Sequence, residues 1–143
     1  MKVLLDTNII LDSILYREPF FETSDSIIKL CARKKVQGFL AAHTVTNAYY
    51  ILCKQMSDSE CRRTILNLLT IFKVKSLNIE KISKALLNEN FKDFEDCLQV
   101  ECAEEVEADY IITRDKNDFS ESQIPSVTPA EFCKLFEEME RKN

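Results

Sequence analysis

Five aspartates stand where predicted secondary-structure elements begin or end. Asp6 closes an apolar run in LLDTN, and Asp115 and Asp118 follow another apolar run in DYIITRDKNDF. Asp93 and Asp96 stand one helical turn apart in KDFEDCLQ. Carboxylates that crowd together repel one another unless a cation neutralises them, and oxygen-only ligand sets favour hard cations such as Mg²⁺ or Mn²⁺ over zinc. The types and spacing of these residues are therefore compatible with a divalent-metal site.

Each of these acids also has a purely structural explanation. An aspartate between a strand and a helix commonly caps the helix, and such a cap is worth about 1 kcal/mol. Asp93 could cap the helix that follows it, with Asp96 as an imperfect capping-box partner. Asp115 and Asp118 could form an Asx turn. Capping is the more ordinary explanation for any one position, but the acids together exceed what capping needs.

Strand-like apolar runs alternate with helical patterns along the chain. Strands are predicted at residues 2–5, 36–41, 72–76 and 110–113, with a short edge strand at 124–127. Helices are predicted at about 9–15, 24–34, 44–55, 58–71, 79–87, 93–107 and from 129 onwards, with Ser24 or Asp25, Thr44, Ser57 and Thr128 as caps. This alternation predicts a single α/β domain over residues 1–143, in which helices cover both faces of a mostly parallel sheet of four to five strands.

The predicted sheet brings some of the acids together, but not all of them. Ligands of open parallel sheets bind beyond the carboxyl ends of the strands. Asp6 and Asp115 share that edge if their strands are parallel. Residues 88–92, which precede Asp96, are not clearly a strand. Spacing alone therefore does not bring Asp96 to the other acids.

Composition excludes several classes of site. Gly38 is the only glycine, which excludes a P-loop and a dinucleotide-binding fingerprint. The six cysteines form no CxxC pair and His43 is the only histidine, so we expect small buried hydrophobic side chains in a reducing compartment rather than a zinc site. No apolar stretch reaches the roughly 20 residues of a membrane span. The N-terminal apolar run is interrupted by acidic residues, so we do not expect a signal peptide. We expect a cytosolic protein.

The charge of the chain argues against broad electrostatic binding of nucleic acid. The net charge is −5, where a basic face would be expected for such binding. The short basic run at residues 33–35 and the scattered basic residues at 62, 63, 73 and 75 are more typical of a solvated surface than of phosphate contacts. A nuclease is not excluded, because carboxylates that bind metal count as negative while the working site contains the cation.

Three segments together resemble the PIN domain family. KVLLDTNIILDSILYREPF resembles the opening of the branch in which DTNxxLD precedes a REPF-like segment. FKDFEDCLQVECAEEVEADYIITRDKNDF resembles the C-terminal half of the family and IPSVTPAEF its usual ending, so the match covers nearly all 143 residues in order. The resemblance implies a PIN-like sheet with covering helices and an acidic Mg²⁺ or Mn²⁺ pocket. It also implies cleavage of single-stranded RNA, often by VapC-like toxins that are paired with an antitoxin protein.

The resemblance assigns roles to individual positions. Asp6 matches the first acid of the family, Asp96 the third and Asp115 the fourth, and Asp118 is a nearby metal-binding helper. Asp6, Asp96 and Asp115 are the predicted catalytic residues, and all four acids are predicted to bind the metal. The predicted supporting residues are Asn8, Asp12, Asn47, Asp93 and Thr113.

One position departs from the family pattern. The second acid of the family is commonly a glutamate in the helix after the second strand, and here that stretch reads AAHTVTNAYYIL, with Asn47 at the expected place. An amide oxygen can bind a hard cation but supplies no charge. Asp12 and Glu95 are candidates to compensate, and Asn8 and Thr113 to hydrogen-bond the acids. Asn47 keeps open an alternative function, a catalytically impaired PIN-like domain that binds RNA or a protein.

Two further expectations concern other classes of protein and assembly. A receiver domain also binds Mg²⁺ at strand ends, but it needs an aspartate after its third strand, and FKVKSLN has none. Family members are frequently homodimers. The helical segment HTVTNAYYILCK offers a candidate apolar face for dimerisation, formed by Val45, Tyr49, Tyr50, Leu52 and Cys53.

Overall fold

A five-stranded parallel sheet forms the centre of the molecule. The computed structural model describes residues 1–143, and its strands are β1 (Lys2–Leu5), β2 (Gln37–Ala41), β3 (Lys73–Lys75), β4 (Tyr110–Ile112) and β5 (Ser126–Val127). The strand order is β3-β2-β1-β4-β5, and each neighbouring pair is parallel. The chain moves outward from β1 to β2 and β3, then returns to β4 on the other side of β1. The carboxyl ends of β1 and β4 therefore flank the point where strand order reverses, which is where open α/β sheets bind ligands.

Seven helices cover the two faces of the sheet. They are α1 (Thr7–Ile14), α2 (Phe21–Ala32), α3 (Ala42–Leu52), α4 (Asp58–Ile71), α5 (Ile79–Leu87), α6 (Phe94–Glu105) and α7 (Pro129–Lys142). Side chains alternate along β1, so Val3 and Leu5 pack under α1 to α4 and α7, while Leu4 packs under α6. Helix α5 packs on α6. The predicted three-layer α/β/α architecture is confirmed.

Two of the predicted helix starts are confirmed and two are wrong. Ser57 caps α4, and Thr128 caps α7 in a capping box with Glu131. Helix α3 already begins at Ala42, so Thr44 is not its cap but a buried residue hydrogen-bonded to another threonine at the start of α1. Helix α2 begins at Phe21, ahead of the predicted caps at residues 24 and 25. In both cases the helix begins ahead of its local capping signal.

The predicted dimerisation face on α3 is not a surface. Leu52 is fully buried, and Val45, Tyr49 and Cys53 are half-buried against the same core. Only Tyr50, with 70% of its surface exposed, faces solvent. The apolar row is therefore core, and it no longer supports the prediction of a homodimer.

The single glycine lies where the backbone of β2 has close neighbours. A Cβ atom on Gly38 would lie 2.5 Å from the Phe72 ring and 2.8 Å from Cys31 Sγ. All six cysteines are unpaired and buried or half-buried, in agreement with their predicted role as small hydrophobic side chains. No helix combines the length and the apolarity needed to cross a bilayer.

Candidate functional site

Asp6 lies at the carboxyl end of β1, where three donors hold its buried carboxylate. Its backbone N–H continues the ladder to β4 by donating to the carbonyl of Ile112 at 3.0 Å. Oδ1 accepts from the Thr7 backbone N–H at 2.7 Å and from Gln99 Nε2 at 2.9 Å. Oδ2 accepts from Thr113 Oγ1 at 2.9 Å, which confirms that Thr113 hydrogen-bonds an acid of the site. These three hydrogen bonds fix the direction of the Asp6 carboxylate.

Helix α6 brings Asp96 to the same edge of the sheet. Asp93 caps the helix, because its Oδ1 accepts from the Asp96 backbone N–H at 2.9 Å. Asp6 and Asp96 both line one open cavity of about 370 Å³. The structure therefore brings Asp96 to the same cavity as Asp6, which sequence spacing alone did not predict. The cavity is mostly polar, and its other lining residues are Thr7, Asn8, Leu11, His43, Asn47, Tyr50, Ile51, Asp93, Glu95 and Gln99.

Asp96 lies in strongly negative surroundings. Burial raises the pKa of its carboxyl to about 7, and the charges of Asp93, Asp6, Asp118 and Glu95 act in the same direction. Partial burial also raises the pKa of Asp118, with further contributions from Asp115, Asp6 and Asp93. Each cause disfavours the ionised form, and a divalent cation at this place would reverse the effect.

The two acids after β4 lie at the rim rather than beside Asp6. They belong to an exposed segment that contains the 3-10 turn Lys116–Phe119. Asp118 lines a second cavity of about 270 Å³ together with Asp93 and Asp96, whereas Asp115 lines neither cavity. The side chain of Asp115 makes no capping bond, so the structure does not support the alternative explanation by an Asx turn. The backbone N–H of Asp115 donates to Thr113 Oγ1 at 3.0 Å.

The donor set fits a hard cation that retains part of its water shell. No group of three or more aspartate, glutamate, histidine or cysteine side chains is arranged to hold one ion. Mg²⁺, however, is commonly bound through one or two carboxylates plus water, which matches Asp6 and Asp96. The carbonyl oxygen Oε1 of Gln99 is buried beside them without a hydrogen-bond partner. The oxygen donors lining this cavity therefore suit Mg²⁺ or Mn²⁺.

Asn47 and Glu95 are paired across the mouth of the cavity. Asn47 Nδ2 donates to Glu95 Oε2 at 3.3 Å, and both residues line the cavity. Glu95 thus places a carboxylate opposite α3, the helix that carries no acid of its own here. Asn8 lines the same cavity without bonding to Asp6.

Asp12 does not support the cation site as predicted. Its side chain is fully buried and lies 3.1 Å from Arg114 Nε and 3.6 Å from an Arg17 nitrogen. The Arg114 guanidinium also stacks over the ring of Phe20 at 4.3 Å. Burial raises the pKa of Asp12, although both arginines oppose that rise. Asp12 therefore joins α1 to the segments that follow α1 and β4, and it is absent from the cavity that Asp6 lines.

Sequence reasoning missed several lining residues of the cavity, among them Gln99 and His43. Gln99 stands three positions after Asp96, so both occupy one face of α6, a spacing that the string DCLQ displays. His43, the only histidine, is bonded through Nε2 to the Glu95 backbone carbonyl at 3.0 Å, which requires the proton on that nitrogen. Burial lowers the pKa of His43. Nothing in the composition separated either residue from an ordinary core residue.

Comparison with known proteins agrees with this geometry. The family model for the PIN domain matches residues 2–117. Ribonuclease VapC1 of Aquifex aeolicus (strain VF5) is 29% identical over 138 residues, covering 92% of this chain and 93% of that protein.

Solved structures share the fold at low sequence identity. A toxin-antitoxin complex from Klebsiella pneumoniae superposes with a TM-score of 0.67 at 19% identity, over 89% of this chain and 97% of that chain. The Sarcin-Ricin loop cleaving toxin VapC20 of Mycobacterium tuberculosis gives a TM-score of 0.60 at 11% identity, over 76% of this chain and 86% of that chain. By the family match over most of its length, this chain belongs to the PIN domain family.

Proposed function

We propose that this protein is a divalent-metal-dependent ribonuclease that cleaves phosphodiester bonds of single-stranded RNA in the cytoplasm. The observation that carries the proposal is the meeting of Asp6 and Asp96 in one open polar cavity at the carboxyl edge of a PIN fold. The name of the Aquifex relative, a ribonuclease, and that of the mycobacterial neighbour, a toxin that cleaves the Sarcin-Ricin loop, support RNA as the substrate.

Asp6 and Asp96 are the proposed ligands of Mg²⁺ or Mn²⁺. When bound, the cation supplies a Lewis acid that activates water and neutralises charge on the scissile phosphodiester. Thr113 and Gln99 keep the Asp6 carboxylate fixed in direction. Asp93 fixes the start of α6 and with it the position of Asp96. This preorganisation matters because a ligand displaced by a fraction of an ångström loses most of its bond to a small hard cation.

The remaining acids are proposed to act from the rim. Asp118, whose charge is felt at Asp96, would add negative charge on the solvent side of the cation. Asp115, anchored through its backbone N–H to Thr113, would orient the attacking water. Because the pKa of Asp96 is raised to about 7, cation binding to the metal-free protein would be accompanied by proton release below that pH.

A catalytically impaired PIN-like domain that binds RNA or protein is the second candidate function. Its support is specific. Asn47 brings an amide rather than a carboxylate to the cavity, and no three acids are gathered around one point. This candidate predicts RNA or protein binding without cleavage.

Cleavage of a labelled single-stranded RNA separates the two candidates. The parent protein is expected to cleave with Mg²⁺ or Mn²⁺ and to lose activity in a chelator, and Asp6→Asn and Asp96→Asn are expected to be inactive. Glu138→Gln, on the exposed side of α7, is the matched control and should retain full activity. Cleavage that continues in the chelator would contradict the metal mechanism. RNA binding without any cleavage would establish the impaired domain instead, and equal cleavage of duplex RNA would contradict single-strand preference.

We also propose that the protein acts as the toxin of a toxin–antitoxin pair and, on the resemblance to its family alone, that it forms a homodimer. The toxin–antitoxin complex from Klebsiella pneumoniae among its structural neighbours supports the antitoxin partner. Growth arrest on expression, relieved by co-expression of a neighbouring small gene, would support the antitoxin partner. Light scattering that reports only the monomer mass at micromolar concentration would contradict the dimer.

A further inference from the structure

Gln99 has an unusual position for an uncharged side chain, because it is almost fully buried against a carboxylate. Only 2% of its surface is exposed. Its Nε2 donates to Asp6 Oδ1 at 2.9 Å. An ionised carboxylate can only accept hydrogen bonds, so the amide must turn its nitrogen towards Asp6 and its oxygen away from it. The hydrogen bond to Asp6 therefore fixes which end of the amide faces the carboxylate.

The carbonyl oxygen of the same amide is left without a partner. Gln99 Oε1 is buried and accepts no hydrogen bond. A buried unpaired acceptor typically costs about 1–3 kcal/mol, and most buried polar groups avoid that cost. The amide nitrogen is occupied by Asp6, so the carbonyl oxygen of the same amide is the part of Gln99 that is left for a bound ligand.

Gln99 is also placed correctly for a ligand shared with the two acids. It follows Asp96 by three residues, and residues three apart on a helix are neighbours on one face. Gln99, Asp96 and Asp6 line the same cavity. Amide carbonyl oxygens are accepted ligands of hard divalent cations. The third oxygen donor of the site is thus a neutral one.

We infer that Gln99 is a positioning residue of this site, which holds Asp6 through its amide nitrogen and faces the cation with its carbonyl oxygen. The inference rests on the proposed metal-dependent function. It explains how two carboxylates can suffice where no third acid is close enough. It also explains why α6 carries an amide at 99, since a carboxylate there would repel Asp6 and could not donate to it.

Replacement by methionine tests both halves of the inference. Gln99→Met keeps an unbranched side chain of similar size but removes the donor and the acceptor. Calorimetric titration is expected to show Mn²⁺ affinity lowered roughly 10- to 100-fold, the usual effect of losing a group that orients a metal ligand. The Tm of the metal-free variant is expected to stay within a few degrees of the parent, because the unpaired acceptor is lost together with one hydrogen bond. A purely structural role would lower Tm and leave the affinity of the folded protein unchanged.

A glutamate at the same position provides an independent test. Gln99→Glu places a carboxylate against Asp6, so the metal-free protein should have a lower Tm than the parent. Saturating Mn²⁺ should then raise its Tm by more than it raises that of the parent. Cys102→Ala, a buried change on α6 away from the cavity, is the control and should lower Tm without altering Mn²⁺ affinity.

The outcomes distinguish this inference from the proposed function. A parent protein that fails to bind Mn²⁺ would overturn both. The role of Gln99 alone would be overturned if the parent binds Mn²⁺ and cleaves RNA while Gln99→Met has an unchanged affinity for Mn²⁺. If Gln99→Met fails to fold, Gln99→Glu still tests the role of Gln99. That role is overturned if Mn²⁺ raises the Tm of Gln99→Glu by no more than it raises the Tm of the parent.

Discussion

The substitution Asp96→Asn is expected to stabilise the metal-free protein at alkaline pH, although it removes a proposed metal ligand. The folded state raises the pKa of Asp96 from 3.8 to about 7, chiefly by burial and then through neighbouring carboxylates. Folding therefore favours the protonated acid. The corresponding stability is fully present below pH 3.8 and is lost as the pH rises through about 7. Above pH 7 the folded protein contains an ionised carboxylate that it disfavours.

The size of the effect follows from the change in pKa. A rise from 3.8 to about 7 corresponds to about 4 kcal/mol if it is counted in full. Asp96 is only half-buried, so water screens its interactions, and we expect about 1–2 kcal/mol. Asp96→Asn should thus raise the free energy of unfolding by that amount at pH 8. At pH 5, where Asp96 of the parent is protonated, the difference in free energy of unfolding between Asp96→Asn and the parent should be less than half of that at pH 8.

Urea unfolding followed by circular dichroism in the presence of a chelator measures this difference. Parent, Asp96→Asn and the surface control Glu138→Gln would be compared at pH 5 and pH 8. Saturating Mn²⁺ should reverse the order at pH 8, because the parent binds the cation and gains stability by mass action. The reasoning is refuted if Asp96→Asn is no more stable than the parent at pH 8 in the chelator.

Three further substitutions test other features of the structure. Gly38→Ala should lower the free energy of unfolding by about 1–3 kcal/mol, because the added methyl group overlaps the Phe72 ring; an unchanged urea midpoint would contradict this packing. Asp12→Ala should cost about 2–3 kcal/mol in the same assay, because it empties a fully buried position and leaves Arg114 without its partner, and a neutral effect would show that the side chain is dispensable. Asn47→Asp should tighten Mn²⁺ binding severalfold in calorimetry, since charge count sets affinity for hard cations. Unchanged binding would place residue 47 beyond reach of the cation.

The sequence was sufficient for the sheet and for one half of the site. The apolar runs of β1, β2 and β4 form strands whose side chains are buried on both faces, and this signal is local. Asp6 directly follows such a run, so its place at the carboxyl edge followed once the strands were parallel. Thr113 could be assigned to Asp6 for the same reason, since β4 pairs with β1.

The positions of other residues depend on tertiary packing, which local sequence patterns do not encode. The start of α6 lies at the edge because the chain from α5 returns there without forming a strand, so Asp96 could be placed only by family resemblance. Asp12 and Asp6 looked alike in DTNIILD, yet Asp12 is bound by two arginines that come from different parts of the chain. The apolar row on α3 looked like an interface because periodicity shows that a helix has an apolar face but not what covers it.

The two acids of α1 and α6 show how a structural carboxylate differs from a functional one in this molecule. Asp12 is fully buried, and the protein itself supplies its counter-charge from Arg17 and Arg114. Asp96 is less buried, yet burial raises its pKa, and the four named charges that raise it further are all carboxylates. A chain selected for stability alone would replace such a residue, because an amide of the same shape avoids the repulsion. Retaining an acid among acids is consistent with a ligand that carries positive charge, and the same logic explains how a protein with a net charge of −5 can approach a polyanion at this one edge.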